Sequence, residues 1–162
     1  MINVKQIIAH AETQCQRRGT RLTDKRKTVL TSLLRSQQAF SAYELIDVCR
    51  EKLGEKLSPM SMYRILEFLE EEQLVHKLKL ANRYVACTHI TCDHQHEVSQ
   101  FLICVQCYRV EEAGISKPVL SEIKRNVKSV GFELIGPQLE ICLLYTSPSP
   151  RDATLSRMPS SA

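Results

Sequence analysis

Apolar and polar residues alternate through the first 72 positions with the three-to-four residue spacing of amphipathic helices. The pattern predicts one helix over residues 2–18 and a second that begins after Thr23, a residue type suited to the N-cap position. A third helix is predicted to begin at Ser41, because Ser41 and Glu44 have the spacing of a capping box. The N-terminal part of the chain is therefore expected to be helical.

The fourth predicted helix is followed by a hairpin. The helix opens at Ser58, a capping residue that precedes a proline, and it closes with three glutamates at residues 70–72. These carboxylates are expected to face solvent, because negative charge is unfavourable at a helix C-terminus. Alternating residues on both sides of a short turn predict a β-hairpin over residues 74–87. Several short helices followed by a hairpin indicate a winged helix-turn-helix.

The pattern changes after residue 98, where short apolar runs replace the helical stripes. The predicted elements are strands at residues 101–105 and 110–112, a helix at residues 116–131, and strand segments at residues 132–135 and 139–141. The predicted fold class is α+β. Residues 1–83 form a winged-helix domain with its wing, and residues 84–141 form a hinge and a small α/β domain.

The N-terminal half of the fourth helix carries candidates for DNA contact. In a winged helix, the helix before the wing enters the major groove with its first residues at the base edges. Those positions here hold Ser61, Tyr63 and Arg64. Arginine can bind guanine through two hydrogen bonds, and serine or tyrosine can contact a phosphate or a thymine methyl. Tyr63 could instead be a core aromatic, whereas Arg64 suits a core poorly.

Composition narrows the possible functions. The chain has 162 residues, of which 43% are hydrophobic and 25% charged, as in an ordinary globular protein. Its net charge of +4 comes from the first half, which suits a polyanionic partner, although a solvated basic face would give the same excess. No apolar run has membrane-spanning length, and no signal-peptide pattern opens the chain. We therefore expect a cytoplasmic protein with reduced thiols.

Metal-ligating residues are concentrated between residues 87 and 107, which hold four of the 7 cysteines and three of the 5 histidines. Cys104 and Cys107 form a C-x2-C pair, a spacing that lets two thiolates reach one tetrahedral ion. Because zinc prefers thiolate and imidazole ligands, the stretch predicts zinc binding. The alternative is a buried thiol pair beside solvated histidines.

Five motifs, in this order, resemble the ferric uptake regulator (Fur) superfamily, most closely its zinc uptake regulator branch. They lie at residues 21–26 (RLTDKR), 41–47 (SAYELID), 61–64 (SMYR), 74–77 (LVHK) and 101–107 (FLICVQC). The chain departs from the usual pattern at Asp24 and Lys25, where proline and glutamine are common, and at residues 61–62, where threonine and valine are common. Tyr63 and Arg64 are retained.

The resemblance implies a regulatory zinc site between the two domains. Its ligands by motif position are His76 from the wing, Cys87 at the hinge, His96 and Glu112, with His94 as an alternative to His96. A mixed sulfur, nitrogen and oxygen donor set suits zinc, and the thiolate disfavours a purely iron-sensing site.

The resemblance also implies a zinc-loaded homodimer that represses transcription by binding palindromic operators in double-stranded DNA. Zinc bound on both sides of the hinge would fix the winged helix relative to the dimer axis, so that two recognition helices match two half-sites. Arg21 and Arg26, in the first motif, join the expected DNA-contacting residues. Cys104 and Cys107 would supply half of a second, structural zinc site.

The end of the chain departs from this pattern. A second C-x2-C would complete the structural site, but residues 142–162 lack it and are rich in serine and proline. The sequence CLLYTSPSPRD resembles a translated transposon-based sequencing adapter. We therefore expect residues 142–162 to be non-native and disordered, with Cys142 at most an accidental third thiolate. Structural zinc binding would then be weak, because metal binding contributes to folding.

Other functions remain open at the level of sequence. Within the family, the chain could sense iron, manganese, nickel or peroxide. A zinc-ribbon adaptor would have no use for the basic first half and the SMYR helix. A small zinc hydrolase needs an open metal position and a nearby general base, and no H-E-x-x-H motif is present. We therefore expect a protein that is not an enzyme.

Overall fold

The computed structural model describes residues 3–92, 98–136 and 138–146. Within these ranges the helices are α1 Val4–Arg17, α2 Asp24–Leu34, α3 Ala42–Leu53, α4 Pro59–Glu71 and α5 Lys117–Ser129. The strands are β1 Val75–Leu78, β2 Arg83–Ala86, β3 Ser99–Cys104, β4 Val110–Gly114 and β5 Gln138–Leu143. His94 and His96 lie outside the described residues, so the prediction for these two histidines stays a prediction.

Local capping fixes the helices largely as predicted. The Ser41 hydroxyl accepts a hydrogen bond from the Glu44 backbone N–H (3.3 Å), and Glu44 accepts one in return from the Ser41 backbone N–H (2.8 Å). Gly54 ends α3 at φ 68°, a left-handed conformation that glycine adopts without strain. Thr23 precedes α2 as predicted, but its side chain makes no capping hydrogen bond.

The four N-terminal helices and the wing share one hydrophobic core, which includes the fully buried Leu30, Leu66 and Leu69. The prediction that residues 70–72 all face solvent is wrong for Glu72, which is 6% exposed. Its carboxylate accepts a hydrogen bond from the Thr20 hydroxyl (2.8 Å) and pairs with a guanidinium of the α1 C-cap, so the buried charge is compensated.

Two sheets follow the helices. Strands β1 and β2 form the antiparallel wing, with Val75 opposite Ala86. In the second sheet the central strand β3 runs antiparallel to β4 and parallel to β5. The predicted strand segment at residues 132–135 does not form. Its side chains have little to pack against, since Phe132 is 70% and Ile135 89% exposed.

Two predicted domain boundaries fall inside strands. The boundary after residue 83 lies in β2, which runs from Arg83 to Ala86, because the wing needs a full second strand to pair with β1. The boundary after residue 141 lies in β5, where Cys142 and Leu143 continue the pairing with Ile103 and Cys104. The predicted disordered segment therefore begins with two residues that belong to the sheet.

The wing packs directly on the second sheet. Phe101 and Ile103 of β3 are buried against Leu78 of β1 and Ala39 of the α2–α3 connection. At the wing tip the Glu140 carboxylate of β5 accepts hydrogen bonds from two consecutive backbone N–H groups, those of residues 79 and 80 (2.7 and 2.8 Å). The two domains therefore share apolar and polar contacts along the wing.

Helix α5 is amphipathic but has no buried residue. Val119 is 50% and Val130 70% exposed, so part of the apolar face is open to solvent in the single chain. Among the described residues, no helix is both long and apolar enough to cross a membrane.

Candidate functional site

Three side chains from both domains converge beside the wing. His76 lies in β1, Cys87 directly follows β2, and Glu112 lies in β4 opposite Phe101. One ligand atom from each residue lies within 4.8 Å of the other two. The His76 Nε2 and Glu112 Oε1 atoms are 3.5 Å apart. The predicted ligands His76, Cys87 and Glu112 therefore meet at one point between the domains.

Burial controls the protonation of Cys87. The residue is 2% exposed, and burial, followed by the nearby Glu112 carboxylate, raises its pKa to about 12. In the metal-free chain the thiol is therefore protonated at neutral pH. The backbone N–H of His89 points at its sulfur (3.4 Å) and favours the thiolate that a metal requires.

Glu112 is held in its ionised form. Burial opposes ionisation of this carboxyl, but hydrogen bonds outweigh it and keep the pKa below the usual range. Oε2 accepts from the backbone N–H and the hydroxyl of Thr88 (3.0 and 2.7 Å), and Oε1 accepts from the Ser99 hydroxyl (3.0 Å). These contacts fix the carboxylate orientation, as supporting residues do around metal ligands.

The donor set fits a divalent metal such as zinc. It combines sulfur, imidazole nitrogen and carboxylate oxygen, all of which bind zinc in proteins, and it leaves one position of a tetrahedron for another ligand. The His89 imidazole also approaches the cluster, with its Nδ1 3.4 Å from Oε1 of Glu112. Neither Thr88 nor Ser99 was predicted, and only their register beside the ligands could have suggested them.

The C-x2-C pair occupies the end of β3 and the turn that follows. Cys104 is buried and Cys107 exposed. Backbone N–H groups, first that of Cys107 and then those of Tyr145 and Gln106, lower the pKa of Cys104 to about 7. Among the described residues, the cluster around Cys87 is the one group of three or more potential metal donors. Cys142 pairs with Ile103, whose side chain lies on the opposite face of the sheet from that of Cys104.

The N-terminal half of α4 presents its polar residues outward. Tyr63 is 45% exposed and Arg64 is also exposed, whereas Met62 before them and Ile65 after them are buried. The core interpretation of Tyr63 is therefore wrong. Ser61 is half-buried, and its backbone N–H and hydroxyl both contact the Ser58 hydroxyl at the helix start (3.2 and 2.9 Å).

Arg26 also has a structural role. Its guanidinium lies 3.4 Å from the ring centroid of Phe68 in α4 and donates a hydrogen bond to the Arg21 carbonyl (2.6 Å). This stacking braces α2 against α4. Arg21 itself is exposed and lies just before α2.

Comparison with known proteins agrees with this architecture. The model of the ferric uptake regulator family matches residues 17–142. The chain belongs to the ferric uptake regulator family. The matched range begins at the end of α1, covers α2 to α5, the wing and all but the last residue of the second sheet, and includes His76, Cys87 and Glu112.

Named regulators are among the relatives of this Fur-family chain. It is 38% identical over 108 residues to the zinc uptake regulation protein of Escherichia coli (strain K12). The match spans 67% of this chain and 61% of that relative's length. A structure described as a zinc uptake regulator complexed with zinc and DNA superposes with a TM-score of 0.75 at 29% identity, over 96% of this chain and 99% of that chain.

XcZur has been solved in a holo and an apo form, and the chain superposes better on the holo form. Holo XcZur superposes with a TM-score of 0.68 at 34% identity, over 87% of this chain and 95% of its own. Apo XcZur gives a TM-score of 0.52 at 35% identity, over 90% and 97%. Because the sequence identity is nearly the same, the difference reflects the arrangement of the backbone, which in this Fur-family chain is closer to the holo form.

Proposed function

We propose that this protein is a zinc-responsive DNA-binding transcriptional repressor, which acts in the cytoplasm and binds palindromic operators as a zinc-loaded homodimer. One observation carries this function: His76, Cys87 and Glu112 meet within 4.8 Å of one another, although they come from the wing, the hinge and the second sheet. A metal held by all three would join the winged helix to the rest of the chain. The similarity to named zinc uptake regulators supports zinc as that metal.

The cluster suits a gating role because it spans a hinge. Zinc, when bound, supplies a cross-link between the domains, and the chain supplies the geometry around it. Thr88 and Ser99 orient the Glu112 carboxylate. Strand β1 positions His76, and Cys87 directly follows strand β2. We further propose His96, or alternatively His94, as the fourth ligand. The backbone resembles the holo form of XcZur more than the apo form. This supports one domain arrangement when the site is filled, which we call the closed arrangement.

The DNA-contacting surface follows from α4. Tyr63 and Arg64 are exposed on its N-terminal half, and Ser61 lies at its first turn. We propose that these three residues contact the base edges and adjacent phosphates, and that Arg21 adds a phosphate contact. Arg26 contributes to DNA binding mainly by bracing α4 through its contact with Phe68.

The partly exposed apolar face of α5 supports a dimer. The apolar stripe of an amphipathic helix normally packs against a core, but no residue of α5 is fully buried in the single chain. A second copy of the chain would cover it. We propose no enzymatic role, since the relatives are named as regulators and the cluster is explained by a metal that joins domains.

Zinc binding at the cluster is expected to release about one proton per ion, because the Cys87 pKa of about 12 keeps the thiol protonated below that pH while Glu112 is already ionised. Because zinc binding removes the proton of the Cys87 thiol, the apparent zinc affinity should rise as pH increases from 6 to 8. Calorimetric titrations in two buffers of different ionisation enthalpy measure the protons released. The same titrations on Cys87→Ser give the proton release without the thiol. Equal proton release in both proteins would contradict the assignment of Cys87 as a zinc ligand.

Metal and sequence preference test the function. Binding to a palindromic AT-rich duplex is measured with zinc, iron(II), manganese(II), nickel(II) or no metal, and a scrambled duplex serves as the control. We expect tight binding to the palindrome with zinc. Binding that follows iron or another metal would retain the fold and overturn the zinc assignment, and no binding with any metal would favour an adaptor role.

A further inference from the structure

Tyr108, the residue after Cys107, has an unusual backbone conformation. Its φ is +57°, in the left-handed region that glycine occupies freely and that a bulky side chain rarely adopts. The conformation is held in place, because the Tyr108 backbone N–H donates to the Cys104 carbonyl (3.0 Å) and its carbonyl accepts from the Ala39 backbone N–H (2.9 Å). A strained residue that persists needs a compensating contact.

The tyrosine ring provides that contact. The Arg83 guanidinium lies 3.5 Å from the centroid of the Tyr108 ring. The same guanidinium donates to both carboxylate oxygens of Glu44 (2.6 and 3.1 Å) and to the Ala39 carbonyl (3.0 Å). Its side chain is only 15% exposed. Stacking and two-fold hydrogen bonding together use the planar geometry that distinguishes arginine from lysine.

These contacts join elements that belong to different domains. Arg83 opens the second strand of the wing, Glu44 forms the capping box of α3, and Tyr108 lies in the second domain beside the C-x2-C pair. Backbone hydrogen bonds continue the junction, since the Val110 N–H donates to the Gln37 carbonyl (3.2 Å). The junction includes none of the three residues of the interdomain cluster, His76, Cys87 and Glu112.

We propose that Arg83 and Tyr108 form an interdomain latch that sets how much zinc the protein needs in order to bind DNA. This inference rests on the proposed function. A latch that stabilises the closed arrangement adds to the effect of zinc, which also stabilises it. Because the two effects are linked, loss of the latch lowers the apparent zinc affinity, although neither residue contacts the metal.

Tyr108→Gly separates this role from a purely structural one. Glycine suits a φ of +57°, so the fold and its thermal unfolding temperature should be retained or slightly improved, while the ring contact with Arg83 is lost. We expect half-maximal duplex binding, and half-saturation of the site in a chelator competition, to need roughly fivefold more free zinc than in the wild type. Tyr108→Phe keeps the ring and should keep the wild-type midpoint.

Arg83→Lys gives an independent check. Lysine retains the charge but loses the stacking and the paired hydrogen bonds to Glu44, so it should shift the zinc midpoint in the same direction. Wild-type midpoints in both Tyr108→Gly and Arg83→Lys would overturn the latch. The two ideas can fail separately. The wild-type duplex titration tests whether zinc controls DNA binding, and the chelator competition tests whether Arg83 and Tyr108 change the zinc affinity.

Discussion

Replacing Cys87 by serine is expected to lower the zinc affinity of the interdomain site by at least about a hundredfold, which is more than the loss of a supporting residue around a metal usually costs. The substitution removes the one sulfur donor of the cluster and substitutes a hydroxyl of similar size, which is a poor zinc ligand. The remaining imidazole and carboxylate hold a zinc ion less tightly. Competition with a chromophoric chelator measures the change.

Cys92→Ser is the matched control for this substitution. Cys92 lies five residues further along the same segment and is exposed rather than buried in the cluster. Its replacement should leave the zinc affinity unchanged, which separates the position of the thiol from the mere presence of a cysteine. If the two variants bound zinc equally well, Cys87 would not be a ligand. At low zinc, Cys87→Ser should lose duplex binding, whereas Cys92→Ser should retain it.

Replacing Arg64 by alanine is expected to weaken binding to the palindromic duplex by roughly tenfold to a hundredfold, as for the loss of one arginine–guanine contact. Arg64 is exposed on α4, while its neighbour Ile65 faces the core, so the fold has little reason to change. The zinc affinity should therefore stay at the wild-type value. Fluorescence anisotropy with the palindrome and with duplexes altered at single positions measures both affinity and sequence preference.

Arg125→Ala is the control for the loss of one positive charge. Arg125 lies on α5 with its side chain 76% exposed and is paired only weakly with Glu122 (3.7 Å). Its replacement should change duplex affinity little beyond a general charge effect. Equal losses for Arg64→Ala and Arg125→Ala would show that α4 does not read the bases.

Local rules predicted much of the fold. The capping box of Ser41 and Glu44 and the glycine that ends α3 depend on a few neighbouring residues, so the pattern of the sequence was sufficient to place them. The alternation around a short turn likewise predicted the wing. Three of the proposed ligands, His76, Cys87 and Glu112, could be named in advance because their chemistry and motif positions agreed, and the structure brings them together.

Contacts between distant segments could not be predicted in the same way. Glu72 is buried because Thr20 and a guanidinium from α1 meet it, and nothing in the local helix pattern indicates this. The segment at residues 132–135 has strand-like composition, but strands form only where a partner edge is available. The stacking of Arg83 on Tyr108 joins residues 25 positions apart and depends on the packing of the two domains.

A single titration would decide whether the interdomain cluster controls DNA binding. Free zinc is set with metal buffers, and site occupancy and affinity for the palindromic duplex are measured on the same samples of the wild-type protein. We expect duplex affinity to rise at least about tenfold over the same range of free zinc in which the Cys87 site fills. Duplex affinity that stays constant while the site goes from empty to full would contradict a metal-gated repressor.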